Sequence, residues 1–268
     1  MDTGLAVAII AGAVALASAG ISWRTQLAVT DRKALRDREL KDADRQSEAA
    51  VVLDRYRGPL LDAAWLLGDR IDNIRNRGFL GYVGGGDRAQ DARLSTLSRI
   101  GIYLGWREYL RLQVQLMRFE SDAETRLVAG FLGDIAWALA TDKVDEGRAM
   151  LWADEQRGIG ELMLHDPSAG SPGVRGYASF CRDYDEIFAP WMERLATDLF
   201  SPRAVRSDRL RLLQWALYGL VRRLDTAGAY GGTWLDRTQA EISRLRTDER
   251  ATRTEIQLRQ HLALLRNG

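Results

Sequence analysis

The sequence predicts an all-α protein, on three observations. Apolar residues recur three and four positions apart along most of the chain after residue 58. No stretch alternates apolar and polar residues with period two for long, and no Asn-Gly or Asp-Gly pair sits between apolar runs to close a hairpin. The predicted order is a transmembrane anchor over 1–23, a charged helical stalk over 24–57, an antiparallel helical bundle over 58–232 and a charged C-terminal helix over 233–268.

The anchor rests on the run from Gly4 to Trp23, which holds no charged residue. Its 20 residues span roughly 30 Å as a helix, one hydrocarbon thickness. A cleaved signal peptide competes with this reading, because Ala17-Ser18-Ala19 offers a cleavage pattern, but such a peptide begins with a basic region and here Met1, Asp2 and Thr3 precede the run. Arg24, Arg32, Lys33, Arg36 and Arg38 follow closely, so the positive-inside rule places the N-terminus outside and the rest in the cytoplasm. Ala13, Ala17 and Gly20 form a small-residue stripe on which two such helices can pack.

The stalk has no Gly or Pro before Gly58 and carries acid-base pairs at helical spacing, such as Asp37 with Lys41. Leu27, Ala34, Leu35 and Leu40 keep no clean heptad, which favours a solvated stalk over a stable coiled coil, with a weak homodimer as the alternative. Gly58-Pro59 signals the start of the next helix, in which Leu60, Ala64, Leu67, Ile71 and Ile74 share a face; the glycines from Gly78 to Gly86 end it. Further helices are predicted at about 88–104, 106–119, 122–141 and 146–164. His165–Gly176, with two prolines and three glycines, reads as a loop. Tyr177 to Phe200 follows with a kink at Pro190, then a helix over about 203–226 that Ser201-Pro202 starts. After Gly228–Gly232, the segment Trp234–Leu265 reads as a long helix of thin apolar content, exposed, docked on the stalk or paired with a copy of itself.

Composition narrows the function. Of 268 residues, 38 are Lys or Arg and 37 Asp or Glu, a formal charge of +1, which supplies no overall field to gather nucleic acid. The single Cys181 forms no intramolecular disulfide and cannot build a thiolate metal site alone; lacking a histidine partner, it reads as packed core. Only two histidines are present, His165 and His261, and neither has a Glu three residues before it, so neither a histidine triad nor a di-metal carboxylate bundle is expected. Gly84-Gly85-Gly86-Asp87 lacks the Lys-Ser/Thr of a phosphate loop and reads as a turn. No cofactor, metal or catalytic residue is predicted.

Four segments, Tyr56–Leu61 (YRGPLL), Ile102–Glu108 (IYLGWRE), Glu155–Met163 (EQRGIGELM) and Gly176–Phe180 (GYASF), resemble a family of uncharacterised bacterial proteins with one N-terminal membrane helix and a helical cytoplasmic domain. The likeness covers most of residues 1 to about 225 and implies the architecture, held in a bacterial inner (cytoplasmic) membrane, but no activity.

Two readings of the polar residues follow. Arg157 and Glu161, four apart, can pair along a helix face. Alternatively Glu155, Arg157 and Glu161, with Arg107, Glu108 and Tyr177, line a polar groove between helices that takes a ligand or partner segment. With a membrane anchor and no catalytic constellation, the expected function is a membrane-held cytoplasmic domain that binds an unknown protein as a tether, sensor or scaffold. A membrane effector of a stress or phage-defence system, and a helical enzyme with a Glu/Arg site around Glu155 and Arg157, are the alternatives.

Overall fold

Residues 55–115, 123–165 and 173–247 are described in the computed structural model, all within the unit Ala49–Gly268. The anchor, almost all of the stalk, residues 116–122 and 166–172, and the tail after Thr247 with its His261 lie outside the described residues.

The described residues form a helical bundle without a strand: α1 over 55–76, α2 (Ala89–Gln115), α3 (Ala123–Ala140), α4 (Ala153–Met163), α5 (Tyr177–Arg182), α6 (Ala189–Leu199), α7 (Asp208–Leu224) and α8 (Thr233–Thr247). Among them only an isolated bridge between Leu164 and Val174 joins extended segments, closing the described ends of the predicted loop. The all-α prediction holds for these residues. One core runs through the unit, from Leu60, Ile71 and Ile74 of α1 through Tyr103 and Leu104 of α2 and Ile135 of α3 to Phe180, Phe188 and the inner face of α7.

Several predicted boundaries move. The chain is already helical at residue 55, so Gly58-Pro59 lies within α1 and does not start it. The predicted helices over 88–104 and 106–119 are a single α2 running through Gly105, whose missing side chain serves packing: a Cβ there would stand 2.7 Å from Val174 and 2.8 Å from the Met163 Cβ. The helix predicted over 146–164 begins only at Ala153, because Asp145 (φ 53°), Glu146 (φ 56°) and Ala149 (φ 50°) are left-handed, a conformation that interrupts a right-handed helix. Before Pro190, a wider π turn at Tyr184–Phe188 separates α5 from α6, so the interruption precedes the proline, which sits in the first turn of α6. Ser201-Pro202 opens a 3-10 turn, Pro202–Arg206; α7 starts after Ser207, whose hydroxyl accepts from the Leu210 amide at 3.1 Å.

The described part of the C-terminal helix, Thr233–Thr247, packs on the bundle. Trp234, Leu235, Thr238 and Ile242 recur at helical spacing and are buried, and the Trp234 ring lies where a Gly68 Cβ would be, 2.5 Å away.

Glycines decide how closely the helices approach. At the α2–α4 crossing a Gly160 Cβ would stand 2.8 Å from the Glu108 Cβ and 2.9 Å from the Leu104 carbonyl oxygen, and a backbone atom cannot swing aside. Gly160→Ala should therefore lose about 1–3 kcal/mol. Gly130 and Gly133 lie within α3, and the place a methyl group would take at each is open, with no atom within 4 Å, so alanine at either should gain up to about 1 kcal/mol from helix propensity. Urea denaturation of the three variants checks both signs.

Candidate functional site

The structure divides the six residues of the predicted groove. Arg107 and Glu108 lie on α2 and Glu155, Arg157 and Glu161 on α4, helices that pack directly together, but their seam is closed by Gly160 against Leu104 and Glu108. Arg107 Nη1 donates to Gln156 Oε1 at 2.6 Å, and the buried Gln156 amide donates on to the Ala136 and Leu151 carbonyls. Glu108, also buried, accepts from Arg111 Nε at 2.8 Å and from its Nη2. Arg107 and Gln156 thereby tie α2, α3 and α4 together, whereas Glu108 is paired within α2. Glu155 Oε2 accepts from the Trp152 amide at 2.7 Å, capping the first turn of α4.

Tyr177 is not part of that seam. Cys181 lies one turn along α5, and its interaction with the Tyr177 hydroxyl, with burial and the nearby Asp91 carboxylate, pushes the Tyr177 pKa up to about 12 against the opposing effect of Arg70. Cys181 is half-buried against the core. Arg157 and Glu161 are both exposed, and no ion pair joins them among the described residues. The predicted residues thus make a structural seam, a helix cap and a solvent-facing helix surface, without the convergence on a common point that catalysis by Glu155 and Arg157 requires.

One surface with exposed tryptophans is the outer face of α4 and its neighbour α6. Trp152 at the head of α4 is 61% exposed, and Trp191 of α6 is 41% exposed with its ring laid on Gly158. Arg157, next to Gly158 in sequence, is exposed as well. Exposed tryptophan beside arginine is the composition of interface hot spots, since both contribute large contact area and donors with few partners of their own.

Two buried polar clusters escaped sequence reasoning. In the first, the Asp72 carboxylate, with 0% exposure, accepts from Asn76 at 2.7 Å, Arg77 Nε at 2.9 Å, Arg237 Nη1 at 2.6 Å and Gln214 at 3.3 Å. Burial alone would raise its pKa, but the hydrogen bonds of Asn76, Arg237 and Arg77 and the Arg237 charge hold it below the usual carboxylate value. Arg75 extends the cluster to Gln214 and to Glu241 at 3.1 Å, so α1, α7 and α8 share it. In the second, the fully buried Arg209 donates to the carbonyls of Ala138 (2.6 Å), Leu139 (3.0 Å), Thr141 (2.6 Å) and Arg148 (2.7 Å). It thereby caps the C-terminal end of α3 and clasps the left-handed segment that follows. Burial draws its pKa down, and Asp145, Asp198 and Asp142 oppose that. A solvated surface arginine and this one look alike in a chain with 35 of them; only the positive φ angles and the end of α3 give Arg209 its role.

Among the described residues no group of three or more His, Cys, Asp or Glu is placed to hold a metal ion. No protein-family model matches the chain, and neither a curated protein nor a solved structure matches it.

Proposed function

We propose that the chain is a single-pass protein of the bacterial inner membrane, with residues 4–23 in the bilayer and the N-terminus outside, whose helical domain faces the cytoplasm and binds a partner protein as a tether, sensor or scaffold. The observation that carries the reading is the uncharged run Gly4–Trp23 followed by Arg24, Arg32, Lys33, Arg36 and Arg38. Residues 24–57 then serve as the charged stalk. Among the described residues no helix is long and apolar enough to cross a membrane, and residues 4–23 lie outside them. The bacterial membrane-anchored family suggested by the four short segments would have the same plan.

The outer face of α4 supports the binding part of the proposal through Trp152, Arg157 and Trp191. Crosslinking and pull-down from membranes, with wild-type chain and Trp152→Ala/Arg157→Ala, tests it. One specific partner retained by the wild type and lost by the variant is the expected result; an unchanged set of crosslinked proteins would remove α4 from the account. The membrane-effector reading draws on Ala13, Ala17 and Gly20 alone, and loss of membrane potential on overexpression would favour it.

A further inference from the structure

We infer that the cleft between the left-handed segment 145–149 and the turn Pro202–Arg206 is a binding site for a phosphate group, carried by a small soluble ester or by a lipid headgroup. The cleft is about 230 Å³ in volume and is lined by Arg148, Arg203 and Arg206 together with Asp145, Asp198 and Ser201. That is smaller than the ~300 Å³ at which drug-sized pockets begin, and suits a phosphate with a short substituent.

The charges in the cleft are unequal in availability. Both carboxylates are turned into the wall: Asp198 Oδ2 accepts from the Ala149 amide at 2.7 Å, and Asp145 accepts from the Ser207 hydroxyl and from the Asp208 and Arg209 amides at 3.1 and 3.0 Å. Asp145 so occupies the amide donors of the first turn of α7, which leaves side chains to hold a ligand. The arginines are less committed. Arg203 and Arg206 are three apart in a 3-10 turn, where side chains at that spacing eclipse, and both are exposed with no ion pair or hydrogen bond among the described residues. Among those residues Arg148 pairs only with Glu146, at 2.7 Å and on the surface, an interaction that a dianion can displace. Three arginines lining one cleft offer more donors than a carboxylate's two oxygens can use and suit the several acceptor oxygens of a phosphate.

The cleft is also built in advance. Asp145, Glu146 and Ala149 hold left-handed backbone, fixed by Arg209 on the carbonyls of Thr141 and Arg148, so binding requires no ordering of that wall.

The test uses the full chain in detergent micelles and reads thermal denaturation against inorganic phosphate, glycerol 3-phosphate and micelles containing phosphatidic acid, each compared with sodium chloride of equal ionic strength. A saturable rise in Tm with phosphate probes and not with chloride is expected. A rise with glycerol 3-phosphate assigns a soluble ester, and a rise with phosphatidic acid alone assigns a headgroup. Arg203→Gln/Arg206→Gln should weaken binding roughly tenfold or more per arginine and leave the ligand-free Tm unchanged, whereas Arg88→Gln/Arg182→Gln, at exposed positions outside the cleft lining, should bind as the wild type does. Absence of a saturable shift with all three probes would overturn the site, as would undiminished binding by Arg203→Gln/Arg206→Gln.

Discussion

Arg209→Met should cost the folded domain about 4 kcal/mol or more, enough to leave much of it unfolded at 37 °C given the ~5–15 kcal/mol that holds ordinary domains together. Methionine preserves most of the apolar stem, so the loss isolates the guanidinium. That group is wholly buried and supplies donors to the carbonyls of Ala138, Leu139, Thr141 and Arg148. Leu139 keeps a second donor in the Leu151 amide at 2.9 Å, but others lose theirs where water does not reach, at about 1–3 kcal/mol for each. The left-handed residues Asp145, Glu146 and Ala149 would then have fewer contacts to offset their strain, of order 1–3 kcal/mol each. Arg209→Lys should rescue little, because an ammonium concentrates its three donors at one point and cannot span carbonyls from the end of α3 to Arg148. Urea denaturation followed by circular dichroism compares the three proteins; a midpoint for Arg209→Met within experimental error of the wild type would refute the clasp.

Asp72→Asn should cost about 3 kcal/mol and act first on α8. Removing one charge from a buried, hydrogen-bonded cluster strands its partners, here Arg77 and Arg237, although both reach solvent at their outer edges (side-chain exposure 37% and 41%) and part of the loss is recovered there. The same residue sets a pH dependence. Its folded pKa is lowered, so the carboxylate contributes stability that is fully present above the unfolded value near 3.9 and is lost as pH falls through the folded value. The wild type should therefore lose more stability than Asp72→Asn between pH 6 and the acid range below about pH 4. Hydrogen exchange along α8 gives the local readout: faster exchange from Trp234 to Ile242 in the variant is expected, and uniform acceleration across all helices would mean that the cluster does not specifically hold α8.

The helical class was legible because burial follows the 3.6-residue period wherever the core lies on one side, as in α4 and α6. Boundaries were harder to read, since they depend on distant groups. Gly105 looks like a break and is instead a point of close approach to Met163 and Val174. Ser201-Pro202 and Ser207-Asp208 are comparable start signals, and the second caps α7 because Asp145, from 62 residues away in sequence, accepts from the Ser207 hydroxyl. The final helix looked weakly apolar because Trp234, Leu235 and Ile242 are few, yet Thr238 and Arg237 join it to Asp72 through Gln214 and directly. For the site, residue type indicated polar groups near α2 and α4 but not their use: Glu108 and Gln156 are buried by the seam while Arg157 and Glu161 face outward. Such a division follows from helix rotation, which single residues do not encode.

Membrane partition with topology is the most direct test of the central proposal. Full-length chain and a form lacking residues 1–23 would be expressed in bacteria, fractionated, washed with alkaline carbonate, and exposed to protease in spheroplasts before and after lysis. The account predicts that the full chain stays in the carbonate-washed membrane, that its helical domain is cut only after lysis, and that deletion of 1–23 releases it to the supernatant. Full-length chain recovered in the supernatant, or a domain digested in intact spheroplasts, would contradict it.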